Sequence, residues 1–270
     1  TGVPDSTLKH FCFFLDDRLP KSNHIIAANE GNSIGIATGY YLSTGSLPLV
    51  YMQNSGFGNA LNPLTSLADN EVFGIPMIIM LGWRGEPGKR DAIQHLKDGR
   101  IQTNLLDSLE YPYSVLTTDK SELRNQIKSS IETATNHNTP FILLVRRDTF
   151  DNYSPLSHSN SEDNKLSREE SISLLLEYLD EDSIVVCTTG KASRELYELR
   201  GNEKELYDKD FLMIGSMGHA SSISLGITTQ EKDRNVYCID GDGALIMHMG
   251  SLSTIGKYSP SNFRHIILNN

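Results

Sequence analysis

The sequence predicts an α/β protein made of two parallel-sheet modules joined by an irregular segment. Short β-branched apolar runs alternate with stretches long enough for helices, the pattern of strands covered on both faces. The pattern lapses from about residue 148 to 167 into Ser, Asn, Asp and a Pro, then resumes. The resumed half keeps the strand-helix rhythm without repeating the residues of the first. These observations divide the chain into a first module over residues 1–150, a linker over 151–167 and a second module over 168–270.

In the first module the runs His24 to Glu30, Leu49 to Asn54, Met77 to Gly82 and Pro140 to Arg146 read as strands. Gly31 to Thr44, Asn59 to Ala68, Gln94 to Leu109 and Ser121 to Asn136 are long enough for helices. The second module opens with a helical stretch, Arg168 to Leu179. Its strands read as Ser183 to Cys187, Phe211 to Ile214, Asn235 to Ile239 and His265 to Leu268. Ligands of open α/β sheets sit beyond the carboxyl ends of the strands, so the residues just after each strand are the candidates for chemistry.

Composition removes several function classes. Lys plus Arg number 24 against 34 Asp plus Glu, a formal charge of −10, which argues against a nucleic-acid or membrane-surface partner held by bulk attraction. No apolar run approaches the length of a membrane span, and the start at Thr1 is not a secretion signal. Cys12, Cys187 and Cys238 have no paired spacing; Cys187 and Cys238 fall inside apolar runs and read as core thiols, and a reducing, cytoplasmic setting is the natural reading. The beginning at Thr1 and the stop at Asn270 read as a sequence lacking residues at both ends.

Asp240-Gly241-Asp242-Gly243 follows a strand directly, where glycines let a phosphate approach backbone donors and a carboxylate offers a hard ligand to Mg²⁺. Asn269-Asn270 ends the last strand with two neutral oxygen ligands. The 25 residues between Gly243 and Asn269 suffice for a helix and a return strand, which would set both groups at one sheet edge. Taken alone, the first is equally a tight turn and the second a cap. An EF-hand is excluded because Ser251 stands where the closing acidic residue belongs. Thr188-Thr189-Gly190-Lys191 and Gly215-Ser216-Met217-Gly218-His219 follow two further strands and suit anion contacts or helix caps. Glu30 ends an apolar run and opens a helix, as a buried carboxylate or an ordinary first-turn charge. Asn54 and Ser55 follow another strand, Asp5 and Ser6 belong to the N-terminal loop, and the run from Arg84 to Arg100 carries six basic side chains including His95. No GxGxxG sits at the first strand-helix turn, which weakens a nicotinamide-binding alternative.

Gly241-Asp242-Gly243 followed by Asn269-Asn270 resembles the signature of thiamine-diphosphate-dependent enzymes. Gly2 to Ser6 (GVPDS), Asn29 to Asn32 (NEGN), Gln53 to Asn59 (QNSGFGN) and Trp83 to Gly88 (WRGEPG) together resemble the phosphonopyruvate decarboxylases and, more distantly, the sulfopyruvate decarboxylases, over nearly the whole chain. The resemblance implies a pyrimidine-binding module followed by a diphosphate-binding module incomplete at its C-terminus. It implies thiamine diphosphate and Mg²⁺ as cofactors, with Asp242 and Asn270 as metal ligands and a carbonyl beyond Asn270 completing the protein's share. Thr189, Gly190, Gly215, Ser216, Gly241, Gly243 and Ala244 would contact the cofactor, and Met217 would prop it in a bent conformation. Glu30 would hold the pyrimidine N1′ and so promote the C2 ylid. Asn54 and His95 would serve catalysis, with Arg84 and His95 as candidates for the substrate tail. The implied reaction is non-oxidative decarboxylation of 3-phosphonopyruvate, an anionic 2-oxoacid, to phosphonoacetaldehyde and CO₂ through an enamine. The implied assembly is a homodimer or homotetramer with sites between subunits. Sulfopyruvate decarboxylation and a noncatalytic thiamine-diphosphate-binding subunit are the alternatives; because the two sulfopyruvate modules commonly lie on separate subunits, fusion in one chain favours the phosphonate.

Overall fold

A computed structural model describes residues 1–156, 166–201 and 209–269. The chain divides into two compact units, Thr1–Ser159 and Asn160–Asn270. Residues 157–165 of the expected linker lie outside the described residues, as does Asn270.

The first unit is a wholly parallel sheet in the order β1 (Leu49–Gln53), β2 (Met77–Gly82), β4 (Pro140–Val145), β3 (Tyr113–Val115). Helices α1 (Lys9–Arg18), α2 (Glu30–Thr44), α3 (Phe57–Pro63), α4 (Ile93–Ser108) and α5 (Lys120–His137) accompany it. β2 and β4 are apolar at nearly every position because both their faces are covered and all their residues are buried. Alternation then sorts the side chains. Val50, Met52, Ile79, Leu81, Ile142 and Leu144 enter the core that includes Ile34 and Phe57, while Tyr51, Ile78, Met80, Leu143 and Val145 enter the core that includes Leu8.

The expected strand His24 to Glu30 is not formed. Ile26 makes an isolated bridge to Gly2, and Gly2 in turn bridges Tyr51, so the N-terminal segment rather than residues 24–30 lies along β1. The apolar run is cut short because Asn29 caps α2, its side chain accepting from the Asn32 amide, and Glu30 is already helical. The expected helix Asn59 to Ala68 begins earlier, at Phe57, and widens into a π-helical turn at Leu64–Ala68 just after Pro63, which has no amide proton to donate. β3 was not expected: three residues are too few to show a period.

The second unit is also wholly parallel, in the order β6 (Asp210–Leu212), β5 (Ile184–Cys187), β7 (Val236–Gly241), β8 (Phe263–Leu268). Its described helices are α6 (Arg168–Glu177), α7 (Lys191–Arg200), α8 (Ala220–Gln230), α9 (Asp242–Met247) and α10 (Ser251–Tyr258). α6 starts where Ser167 and Glu170 exchange hydrogen bonds in a capping box. β7 runs two residues farther than expected, so Gly241 is the last strand residue and Asp242 the first helical one. Cys187 and Cys238 are buried in cores on opposite faces, and burial pushes both thiols up to about 12. Among the described residues, no helix is long and apolar enough to cross a membrane.

Candidate cofactor-binding site

In the first unit, Glu30 opens α2 with its side chain almost wholly buried. Burying a carboxylate is costly unless donors meet it. Asn59 of α3 supplies one, its Nδ2 donating to Glu30 Oε2 at 2.8 Å. The other oxygen stands against Gly56, where an added Cβ would overlap it. The segment Gln53 to Asn59 thus contributes a gap and a donor to one carboxylate, and neither Gly56 nor Asn59 had been singled out from sequence. Both lie within a short motif next to a strand end, the one signal that could have found them.

Asn54 is buried and clamps the loop after β2: its Nδ2 donates to the Arg84 carbonyl and its Oδ1 accepts from the Arg84 amide, both at 3.0 Å. Asp5 is buried too. It accepts from the Thr7 amide and from the Gln53 side chain, and Gln53 Oε1 accepts in turn from Ser55. These polar residues of the N-terminal loop and of the segment after β1 therefore brace one another at the carboxyl edge of the sheet.

Arg84 was expected as a candidate for an anionic substrate tail, yet its donors are engaged within the protein. Nε and Nη2 reach Asp91 at 2.9 and 2.5 Å, and Nη1 reaches Ser6 Oγ at 3.0 Å. Asp91 also accepts from the amides of Gly85 and Ala92. The hydrogen-bonded guanidinium first, and these amides with it, hold the Asp91 carboxyl well below the usual carboxylate range. A carboxyl whose folded value is depressed stabilises the fold above its unfolded value of about 3.9, and that contribution fades as pH falls toward the folded value. Asp91→Asn is therefore expected to cost about 2–3 kcal/mol at pH 7, less than a fully buried pair because Arg84 is partly exposed. Urea unfolding at several pH values should show the deficit narrowing below about pH 4.

His95 lies in the first turn of α4, packed so closely on Gly85 that a Cβ there would strike its carbonyl. Its Nδ1 is buried without a hydrogen-bond partner among the described residues. Desolvation, then the Arg84 charge, lower its pKa, which favours the neutral ring at pH 7.

In the second unit three strand ends converge. A cavity of about 400 Å³ is lined by Thr188, Thr189 and Lys191 after β5, by Asp240, Gly241 and Asp242 at the end of β7, and by Asn269 after β8. Gly190 lies between Thr189 and α7 at φ 102°, which a side chain would resist. Gly215, Ser216 and Met217 follow β6, and Gly218 packs against the Ala244 carbonyl in α9. Met217 Cε comes within 3.4 Å of where a Gly243 Cβ would stand. The Met217 side chain is 43% exposed in spite of its apolar character. Thus Thr189, Gly190, Gly241, Asp242, Gly243 and Ala244 are drawn to one sheet edge with the Met217 loop beside them. Thr188, Lys191 and Asp240 join them, though sequence gave them no separate role.

Buried Thr188 Oγ1 has no hydrogen-bond partner among the described residues, although the cavity it lines also presents hydroxyl, amide and ammonium donors. That donor set fits a diphosphate, and the Asp242 carboxylate with the Asn269 amide adds hard oxygens that fit a divalent cation. A different trio, Cys238, Asp240 and His265, brings its ligand-type atoms within 4.8 Å of one another.

Comparison with known proteins places both units in one family. Residues 1–105 match the thiamine pyrophosphate enzyme N-terminal TPP binding domain, and residues 187–270 match the C-terminal TPP binding domain of the same enzymes. The chain is 33% identical to a phosphonopyruvate decarboxylase of Streptomyces viridochromogenes, across 93% of this chain and 64% of that protein. It is 32% identical to a phosphonopyruvate decarboxylase of Streptomyces hygroscopicus, across 100% of this chain and 68% of that protein. A sulfopyruvate decarboxylase of Methanosarcina acetivorans is 29% identical across 99% of this chain and 70% of its own length. The chain thus spans about two thirds of the length of these relatives. With two cofactor-binding domains on parallel sheets and a relative that aligns with the whole of this chain, the chain belongs to the thiamine-diphosphate-dependent 2-oxoacid decarboxylase family, close to the phosphonopyruvate and sulfopyruvate decarboxylases.

Proposed function

We propose that the chain carries the cofactor-binding core of an Mg²⁺- and thiamine-diphosphate-dependent decarboxylase that converts 3-phosphonopyruvate to phosphonoacetaldehyde and CO₂. The observation that carries the reading is the cavity where Thr188, Thr189, Lys191, Asp242 and Asn269 meet at three strand ends. The choice of substrate follows the two Streptomyces relatives, both phosphonopyruvate decarboxylases.

When bound, thiamine diphosphate supplies the electron sink that no amino-acid side chain offers. The protein's own residues bind, orient and move protons. Lys191 and the hydroxyls of Thr188 and Thr189 would hold the phosphates in the cavity they line, and Asp242 with Asn270 would hold Mg²⁺. Gly190, Gly215, Ser216, Gly241, Gly243 and Ala244 would keep backbone close to the cofactor, and Met217 would pack against it. Glu30 would meet the pyrimidine N1′, its side chain oriented by the Asn59 amide and by the close approach of Gly56. His95, whose neutral form burial favours, would carry a proton beside the Arg84 loop. Asn54 acts on this site by holding the Arg84 backbone. Two copies of the chain form each site, in a homodimer or homotetramer.

Sulfopyruvate is the alternative substrate. The Methanosarcina relative aligns with nearly the whole chain under one name, so joining both modules in one polypeptide does not favour the phosphonate, contrary to the sequence-based expectation. Side-by-side assays of both acids with added cofactors test the assignment. Faster turnover of phosphonopyruvate is expected, and preference for sulfopyruvate would reverse it.

A further inference from the structure

We propose that His265 and Asp240 form a positioning pair that fixes the strand-to-helix junction carrying Asp242 and offsets a buried carboxylate beside the diphosphate. The proposal deepens the function proposed above and rests on it.

Asp240 is fully buried, yet it lines the cavity that the reading assigns to an anion. A carboxylate there repels phosphate and is costly to bury unless donors hold it. Two do. Its Oδ1 accepts from the Gly241 amide at 3.0 Å, and its Oδ2 lies 3.3 Å from His265 Nε2. The register explains the second contact: β7 and β8 run parallel with Cys238 opposite His265, and Asp240 lies two residues along the same face of β7. The imidazole spans from its own strand to the next pair along. The first contact ties the carboxylate to the amide of Gly241, the residue just before Asp242, which opens α9. His265 thereby acts on Asp242 through Asp240, as groups behind a metal ligand orient the ligand itself.

Cys238 completes a thiol, carboxylate and imidazole trio of the kind zinc accepts. The surroundings favour the pair instead. Cys238 packs among Val186, Met213 and Ala220, and burial keeps its thiol protonated at neutral pH.

The test is calorimetric titration of thiamine diphosphate into the full-length protein at fixed Mg²⁺, with melting curves to verify folding. His265→Leu, which removes the donor, is expected to weaken cofactor binding about 10–100-fold. His265→Gln, which keeps an N–H at similar reach, should recover most of that loss. Asp240→Asn in the His265→Leu background should also recover binding, because the charge that needed offsetting is gone. A folded His265→Leu protein with wild-type affinity overturns the pair, as does equal weakening in His265→Leu and His265→Gln without recovery from Asp240→Asn. Should His265→Leu fail to fold, His265→Asn carries the test, since its shorter side chain falls short of Asp240; equal affinity of His265→Asn and His265→Gln overturns the pair. Stoichiometric Zn²⁺ uptake that Cys238→Ser abolishes would replace it with a metal centre. Failure of the wild-type protein to bind thiamine diphosphate at any Mg²⁺ concentration would instead sink the underlying function.

Discussion

Glu30→Gln is expected to lower turnover by about 10²–10⁴-fold, the range for losing a positioned proton-transfer group. Cofactor binding should change far less. Glutamine keeps the volume of the site, and its amide oxygen can still accept from Asn59 Nδ2, so the local fold has little reason to shift. What disappears is a carboxylate able to share a proton with a ring nitrogen, a bond that charge makes roughly twice as strong as a neutral one. Gly56→Ala should produce a similar loss by another route, because its Cβ would occupy the space of the Glu30 oxygen and push the carboxylate away. The measurement is exchange of the thiamine C2 proton alongside calorimetric cofactor affinity. Exchange at the wild-type rate in Glu30→Gln would remove Glu30 from the mechanism.

Asp242→Ala is expected to abolish the advantage that Mg²⁺ gives to cofactor binding, weakening it by more than about 100-fold, beyond the range for groups that only support a ligand. Asp242 lines the cavity while opening α9, so its loss removes a hard oxygen without touching the cores that include Cys187 and Val186. The expected signature is a thiamine diphosphate dissociation constant that no longer responds to Mg²⁺, with the melting temperature of the cofactor-free protein little changed. Full Mg²⁺ dependence in the variant would move the metal to other residues.

The strands that sequence predicted best are those with one dominant cause. Met77–Gly82 was read to the residue, and Leu49–Gln53 and Pro140–Val145 to within one, since continuous apolar runs buried on both faces leave little choice of element. His24 to Glu30 failed because two signals competed there, and a polar cap at Asn29 outweighed the apolar run before it. The cofactor motif was legible because glycine and carboxylate spacing is a local property of the chain. The roles of Asn59, Asp91 and His265 were not, since each depends on a partner that folding brings near: Asn59 meets Glu30 across 29 positions, and His265 meets Asp240 across 25. Arg84 shows the same limit. A cation beside a strand end looks free for a ligand until its neighbour Asp91 is seen to engage it.

The direct passage from β7 into α9 also sets how much length variation this region can absorb. With no loop residue between Gly241 and Asp242, one inserted amino acid would rotate every later helical side chain by about 100°, given 3.6 residues per turn. The outer connection from Ser259 to Asn262, between α10 and β8, is a four-residue bend at the opposite edge of the sheet, away from the cavity. Lineages of this fold would therefore collect insertions at that outer bend and keep a fixed count across the inner junction.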